Sequence, residues 1–422
     1  MPNGRASGDG LRFMSQQGTS RVANHLRNRA SRARAFESSP WSEATDLIAD
    51  RPDAIYFGDG APNRDVQPIA RLQEAAVRAW ADAPGNLGYG ELVGYAPLRE
   101  LIAERMTVRG IHASPGEIMI TNGSQQGIDL IARLMLDPGD PILVEGPTYI
   151  GAMQTFDAYE VEYVVIPMDD EGIDVAALDE RLDRLERAPK LLYTIPAFQN
   201  PTGSSISAER REALLELAER RHLLILEDDP YGELWYDQPP APALRADHPS
   251  VVYLGSFSKT IAPGIRVGWM VPPPDMMDLL LMAKEGTDIH SNRIATRTVY
   301  HAATDFLDVH VAGLRDFYGA RRDVLLEGLA ASMPSEIKWN VPGGGFFLWL
   351  RLPDNVSANR LLVTAAQHDV AFLPGSWFYP LGDVKNNELR LSFSSLPVGR
   401  IQLGAQRLGE AATDFLRNEE CH

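Results

Sequence analysis

Glu117-Ile118-Met119-Ile120-Thr121-Asn122-Gly123-Ser124-Gln125-Gln126-Gly127 is an apolar run that breaks at a glycine turn and passes into an amphipathic stretch over 124–136. It reads as strand, turn, helix. The pattern recurs downstream. Asp137–Pro141 is a turn and Ile142–Glu145 the next strand. Glu160–Pro167, Lys190–Pro196, Leu223–Asp228, Val251–Gly255 and Val267–Val271 are further apolar runs of strand length, with helical stretches at 174–187 and 207–221. Short β-branched runs alternating with helices predict an α/β fold, a large domain whose mostly parallel sheet is flanked by helices on both faces.

Beyond about residue 290 the texture changes. A helical pattern covers roughly 305–331, followed by Ile337–Val341, Phe346–Leu352, a helix at 357–367, Leu389–Phe393 and a final helix from about 397. This reads as a smaller α+β domain. Upstream, Ala54–Phe57 is a short extended run entering the turn-rich Gly58–Pro62, residues 67–82 read as a helix, and Gly85–Gly94 is a glycine-punctuated loop. The expected division is an arm at 1–36, a segment at 37–84 that joins the small domain, a large domain at 85–304 and a small domain at 305–422.

Composition bounds the function. The 422 residues are 44% hydrophobic and 23% charged, ordinary for a globular chain. The net charge of −17 opposes binding to nucleic-acid backbones. No apolar run approaches a membrane span. The single cysteine, Cys421, cannot form an internal disulfide or a cysteine zinc cluster, which suggests a cytoplasmic protein. Residues 1–36 hold seven arginines and one acid, Asp9, giving +6 against −23 for the rest. This segment reads as a mobile arm; an organelle transit peptide has the same composition.

Metal-binding signatures, a Walker loop, a Gly-x-Gly-x-x-Gly turn and a Gly-x-Ser-x-Gly elbow are all absent. Unusual residues cluster instead at strand ends, where ligands of open α/β sheets sit. Asn122–Gly127 offers backbone amides and a hydroxyl to an anion such as phosphate, or else is a plain helix start capped by Asn122 or Ser124. Tyr149 follows Glu145-Gly146-Pro147-Thr148 and either stacks on a flat ring or faces solvent. Asn200 precedes a proline, so its backbone is extended and its amide can reach the cleft. Glu227-Asp228-Asp229-Pro230-Tyr231 puts carboxylates at the end of an apolar strand, which calls for a cationic partner. A solvent-facing turn suits Asp229 better than Asp228. Of the five lysines, Lys190, Lys259, Lys284, Lys338 and Lys385, only Lys259 directly follows a buried-type strand. Lys284 lies on a helix beside Glu285. Lys259 is therefore where an amine can be desolvated and made nucleophilic. Arg266 can return to the same anion as Ser256 and Ser258. A cradle, a stacker, an asparagine, an aspartate, a tyrosine, serines, a lysine and an arginine at the ends of one sheet describe a site for pyridoxal phosphate.

The chain resembles fold-type I pyridoxal-phosphate aminotransferases of class I/II, and is most similar to the 2-aminoadipate and broad-specificity aromatic aminotransferase group. The likeness covers roughly residues 50–415. It rests on Tyr-Gly-x-x-x-Gly-x-x-x-Leu-Arg at 89–99, Asn-Pro-Thr-Gly at 200–203, Asp-Asp-Pro-Tyr at 228–231 and Ser-Phe-Ser-Lys at 256–259. Pro-Gly-x-Arg-x-Gly-Trp at 263–269, Gly-Gly-Phe-Phe-Leu-Trp at 344–349 and Leu-Arg-Leu-Ser-Phe at 389–393 extend it. The resemblance implies an aldimine on Lys259, Asp228 at the pyridine nitrogen, Asn200 and Tyr231 at the phenolic oxygen, and Tyr149 on the ring. It implies Ser124, Gln125, Ser256, Ser258 and Arg266 at the phosphate, with Tyr89 reaching the phosphate of a neighbouring subunit. Arg390 would hold the substrate α-carboxylate, with Asn200, Gly60 and Asp59 beside it, and the 37–84 segment would border the substrate entrance. The activity implied is ping-pong transfer of an amino group from an α-amino acid to a 2-oxo acid, 2-oxoglutarate foremost, by a homodimer with shared sites.

Two departures bear on substrate choice. Asp59 stands where the family usually has glycine, and Val66-Gln67-Pro68 lacks the family's aromatic before proline. Asp59 is either a loop carboxylate facing water or an acid near the substrate side chain, favouring a basic amino acid. The same cofactor constellation also serves lyases, decarboxylases and oxidases. A non-enzymatic effector domain of a transcription regulator would carry an N-terminal helix-turn-helix, for which the roughly fifty residues before the matched region are too few.

Overall fold

The computed structural model describes residues 28–36, 40–82, 87–380 and 385–420. Most of the arm at 1–36, the start of the glycine-punctuated loop and Cys421 lie outside these residues. The strands, in chain order, are β1 Ile55–Tyr56, β2 Met119–Thr121, β3 Pro141–Gly146, β4 Glu162–Asp169, β5 Gly172–Ile173, β6 Leu192–Thr194 and β7 Ile225–Asp229. They continue as β8 Val251–Ser256, β9 Gly268–Val271, β10 Lys338–Trp339, β11 Phe347–Arg351, β12 Val370–Ala371, β13 Leu373–Pro374 and β14 Glu388–Ser392.

The large sheet has the order β2-β9-β8-β7-β6-β3-β4-β5. β4, β3, β6, β7 and β8 run parallel, β9 is antiparallel to β8 and β2, and β5 folds back on β4. Every residue of β3, β6, β7 and β8 is buried, which explains their uninterrupted apolar reading and requires helices on both faces. Those helices start where the sequence supplies caps. Asp174 accepts the Ala177 amide at 3.0 Å and Ser207 the Arg210 amide at 3.3 Å. The strand register makes one edge chemically rich. The parallel strands end there, and antiparallel β9 begins there, bringing Arg266 to Asn122 O after β2 and Ser258 Oγ after β8.

A second, antiparallel sheet has the order β10-β11-β14-β13. β1 pairs in parallel with β12, the Phe57 amide donates to Ala371 O at 2.8 Å, and the Ser392 amide donates to Phe57 O at 2.7 Å. The turn at 58–61 thereby hangs between the two sheets.

Several elements differ from the sequence reading. The long helix is Arg293–Ser332, so position 304/305 lies inside it. Its first turns, rich in threonine and arginine, carry little apolar periodicity. They are helical because the Asn292 side chain accepts the Ala295 amide at 2.9 Å and Val299, Ala302 and Ala303 are buried. Pro40–Asp46, Ala96–Met106 and Ile150–Asp157 are helices that the reading does not mark, and Met277–Asp288 is one that it marks only at Lys284. Part of the arm, Ser31–Phe36, forms a 3₁₀ turn against the Ile150–Asp157 helix.

Candidate active site

One cavity of about 610 Å³ opens between the large sheet's rich edge and the β11/β14 face. Asp59, Gly60, Ser124, Gln125, Tyr149, Asn200, Asp228, Tyr231, Ser256, Ser258, Lys259, Arg266 and Arg390 all line it. Tyr89 does not. It is 82% exposed on the surface, its ring edge-on to His290 at 6.0 Å.

The acidic strand end of β7 sorts into three environments. Glu227 accepts the Leu244 and Arg245 amides at 2.9 and 3.0 Å, capping a short helix. Asp229 does not face solvent as the sequence suggests; it is buried, held by Arg109 Nε at 2.8 Å, the Gly232 amide at 2.9 Å and the Tyr253 hydroxyl at 3.1 Å. A buried carboxylate survives only with such partners. Asp228, between them in sequence, points the other way. Its Oδ2 accepts the Tyr193 hydroxyl at 3.0 Å, while its Oδ1 is buried with no hydrogen-bond partner. Burial pushes its carboxyl up to about 7, against the pull of the Tyr193 and Ser124 hydroxyls.

Lys259 follows β8 after a two-serine turn. Its Nζ donates to Gly60 O at 3.1 Å and sits 5.7 Å from the Tyr231 and Phe346 ring centroids. Burial lowers its amine to about 8, with Asp59 opposing. Lys284 is also buried, contrary to its reading as an ordinary helix lysine beside Glu285, but both Asp288 oxygens neutralise it at 2.7 and 2.8 Å. Of these two, only Lys259 faces the cavity.

The anion cradle is built from three turns. Gly123 starts the Ser124–Met135 helix with φ of +73°, and a Cβ there would lie 2.5 Å from Arg266 Nη2, so glycine is required twice over. Neither Asn122 nor Ser124 caps this helix, which leaves its first-turn amides open toward the cavity. Ser256 Oγ donates to Ser258 Oγ at 2.8 Å, and Arg266 Nη1 reaches Ser258 Oγ at 3.5 Å. Arg266 itself holds a left-handed φ of 57°. The Gln125 side chain turns away from the cradle, its amide donating to Gly151 O at 2.8 Å and Thr155 Oγ1 at 2.6 Å.

At the opposite wall, Arg390 is 1% exposed. Its Nη1 donates to Asn200 Oδ1 at 2.9 Å and its Nη2 to Gly58 O at 2.5 Å, between the Phe347 and Phe378 rings. Burial lowers its guanidinium to about 10. Asn200 thus accepts through Oδ1, which leaves its Nδ2 as the donor. Its turn is held by Gln199, whose amide donates to Glu145 Oε2 at 3.0 Å and Pro147 O at 2.8 Å, and whose Oε1 accepts the Thr202 amide at 2.8 Å. This ties the Tyr149 turn to the Asn200 turn. The sequence reading misses it, since Glu145 and Gln199 are 54 residues apart. It also misses Thr45, Tyr56 and Ile195, which line the cavity. Asp59 is exposed at the mouth, its Oδ1 accepting the Ala61 amide at 2.9 Å.

An unpartnered buried carboxylate oxygen, a desolvated amine and an amide-rich cradle with an arginine fit a protonated heterocyclic nitrogen, an aldehyde and a phosphate. These are the groups of pyridoxal phosphate. Residues 52–408 match the aminotransferase class I and II family, and the chain belongs to it. It is a pyridoxal-phosphate-dependent aminotransferase. It is 39% identical over 386 residues to an aromatic-amino-acid aminotransferase of Thermococcus litoralis, covering 89% of this chain and 92% of that one. Among solved structures, the Pyrococcus horikoshii kynurenine aminotransferase in complex with PMP superposes with a TM-score of 0.88 at 38% identity, covering 94% of this chain and 99% of that one. The α-aminoadipate aminotransferase of Thermus thermophilus, complexed with N-(5'-phosphopyridoxyl)-L-leucine, gives a TM-score of 0.85 at 34% identity, covering 93% and 99%.

The amine environment has a measurable consequence. Only a neutral Nζ attacks an aldehyde. With Lys259 at about 8 in the cofactor-free protein, the rate of reconstitution with pyridoxal phosphate is expected to climb about tenfold per pH unit below 8 and level off above it. Stopped-flow absorbance reads this directly. A rate still climbing steeply toward pH 10 would mean a solvated lysine.

Proposed function

We propose that this cavity transfers the amino group of an α-amino acid to a 2-oxo acid, with 2-oxoglutarate as acceptor, in two half-reactions at one site. The observation that carries the assignment of roles is the pairing, in one cavity, of the unpartnered Asp228 Oδ1 with the desolvated Lys259 amine. When bound, pyridoxal phosphate supplies an aldehyde that holds the amine and a ring that accepts electrons released at the substrate Cα. Lys259 Nζ, its amine lowered to about 8 by burial, would take the proton from the substrate Cα and return it, across the nitrogen, to the carbon that carried the aldehyde. Asp228, paired on one side by Tyr193, keeps a proton at the ring nitrogen. The buried Arg390 guanidinium orients the substrate by its α-carboxylate. Tyr231, whose phenol burial holds well above its usual range, stays protonated and able to donate. Arg266, Ser256, Ser258 and the Ser124 helix start anchor the phosphate.

The reading includes a homodimer in the cytoplasm. Tyr89 at 82% exposure, with Leu87 at 71%, Val77 at 70% and Trp80 at 55%, supports a second copy covering this face. Among the described residues, no helix is long and apolar enough to cross a membrane. The proposed domain division puts the parallel sheet in one lobe and β10–β14, joined by 37–84, in the other, with the long helix spanning both.

Initial-rate kinetics test the assignment. Parallel double-reciprocal lines are expected as amino acid and 2-oxo acid are varied, with amino acid alone converting a stoichiometric amount of bound cofactor. Carbon dioxide, ammonia or hydrogen peroxide released without a 2-oxo acid would assign the site to a decarboxylase, lyase or oxidase.

A further inference from the structure

Lys284 has no surface exposure at all, an expensive position for an ammonium. It lies on the Met277–Asp288 helix, one turn before Asp288, and both oxygens of that carboxylate accept from it at 2.7 and 2.8 Å. Asp288 does not stop there. Its Oδ2 also accepts Asn122 Nδ2 at 2.6 Å and Gln126 Nε2 at 2.9 Å. Gln126 Oε1 in turn accepts the Asn122 amide at 2.8 Å. Asn122 is therefore gripped at its backbone amide and its side chain. Its remaining backbone group, the carbonyl, accepts Arg266 Nη2 at 3.0 Å. This is a continuous polar chain from the buried ammonium to the arginine of the cradle, running behind Gly123 rather than through the cavity. Burial lowers the Lys284 amine, with the Asp288 carboxylate opposing.

We propose that Lys284 and Asp288 are positioning residues for the cofactor's phosphate. Their ion pair locks Asn122, whose carbonyl aims the Arg266 guanidinium at the anion. The pair touches neither substrate nor cofactor. Its charge matters because a neutral pair would grip Asn122 and Gln126 with weaker bonds, and charge-assisted hydrogen bonds are about twice as strong as neutral ones. The proposal rests on the reading of Arg266 as a phosphate ligand.

The test separates phosphate from ring. Dissociation constants for pyridoxal phosphate and for pyridoxal, which lacks the phosphate, are measured by fluorescence titration on the full-length cofactor-free protein, with K284M and Q126M beside the parent. Q126M frees the Asn122 backbone amide, leaves the direct Asp288–Asn122 bond and strands no buried charge, so it gives a folded variant should K284M misfold. Pyridoxal phosphate affinity is expected to fall about tenfold in K284M, the equivalent of one charge-assisted bond, and by a smaller factor in Q126M, which keeps the Asp288–Asn122 bond. Pyridoxal affinity should change less than twofold, and KM for the amino acid at saturating cofactor should hold. Equal losses for both compounds would mean a merely structural pair and overturn the proposal. So would an unchanged preference for the phosphorylated form. A parent protein with no preference for phosphate would overturn the cradle reading itself, and the proposal with it.

Discussion

Replacing Lys259 by alanine is expected to lower kcat by about four orders of magnitude, because the proposed roles give this one side chain both the bond to the cofactor and the proton transfer at Cα. No other lysine can take its place. Lys284, the other buried one, is held by Asp288 at 2.7 and 2.8 Å on the far side of the Asn122 turn. The anchoring of the phosphate should persist, since Arg266, Ser256 and the Ser124 helix start are untouched. The K259A protein should therefore bind pyridoxal phosphate reversibly but retain none after borohydride reduction and denaturation, as read by mass spectrometry. Covalent cofactor surviving that treatment, or turnover within tenfold of the parent, would refute the assignment of the lysine.

Asp228→Asn should lower kcat by roughly 10²–10³ while leaving KM for the amino acid within a few-fold, because the residue proposed to hold the substrate carboxylate is Arg390 and not this one. Asparagine fits the space but cannot stabilise a proton on the ring nitrogen. A stability signature accompanies the kinetic one. In the cofactor-free protein burial raises the Asp228 carboxyl from 3.8 to about 7. The folded state therefore holds this proton more tightly than the unfolded chain. Its contribution favours the fold at low pH and is lost as pH rises from about 4 to about 7. D228N should remove that slope, so the cofactor-free variant should match or exceed the parent's Tm at pH 8. Bound cofactor reverses the sign, since a protonated ring nitrogen gives the ionised carboxylate a partner. Thermal melts at pH 5 and 8, with and without cofactor, read both effects. A variant destabilised equally at both pH values would mean that Asp228 is ionised and satisfied without the cofactor.

The contrast among the three acids of β7 marks the limit of sequence reading. Glu227, Asp228 and Asp229 look alike in a row. Strand alternation splits them between faces, but it does not say what each face meets. Asp229 is neutralised by Arg109, 120 residues away, and Glu227 is held by hydrogen bonds from backbone amides 17 and 18 residues on. Lys284 shows the same limit. Its neighbours in sequence resemble a surface helix, and only the packing of that helix against the Ser124–Met135 helix buries it. The start of the long helix at Arg293 is hidden for a related reason, because its first turns are stabilised by a cap and by tertiary burial rather than by a periodic apolar face.

The sequence by itself determined the α/β class, the strand-end turns and most of the polar residues of the cavity. Strand and helix periodicity, proline and glycine at turns, and scarce lysines are local properties, and local properties survive in one dimension. The tertiary structure decided which carboxylate lacks a partner, which buried lysine faces the cavity, and that Tyr89 points to solvent rather than into the cavity of its own chain. Those are questions of desolvation and charge pairing, and their answers lie in groups that the fold brings together from separate elements.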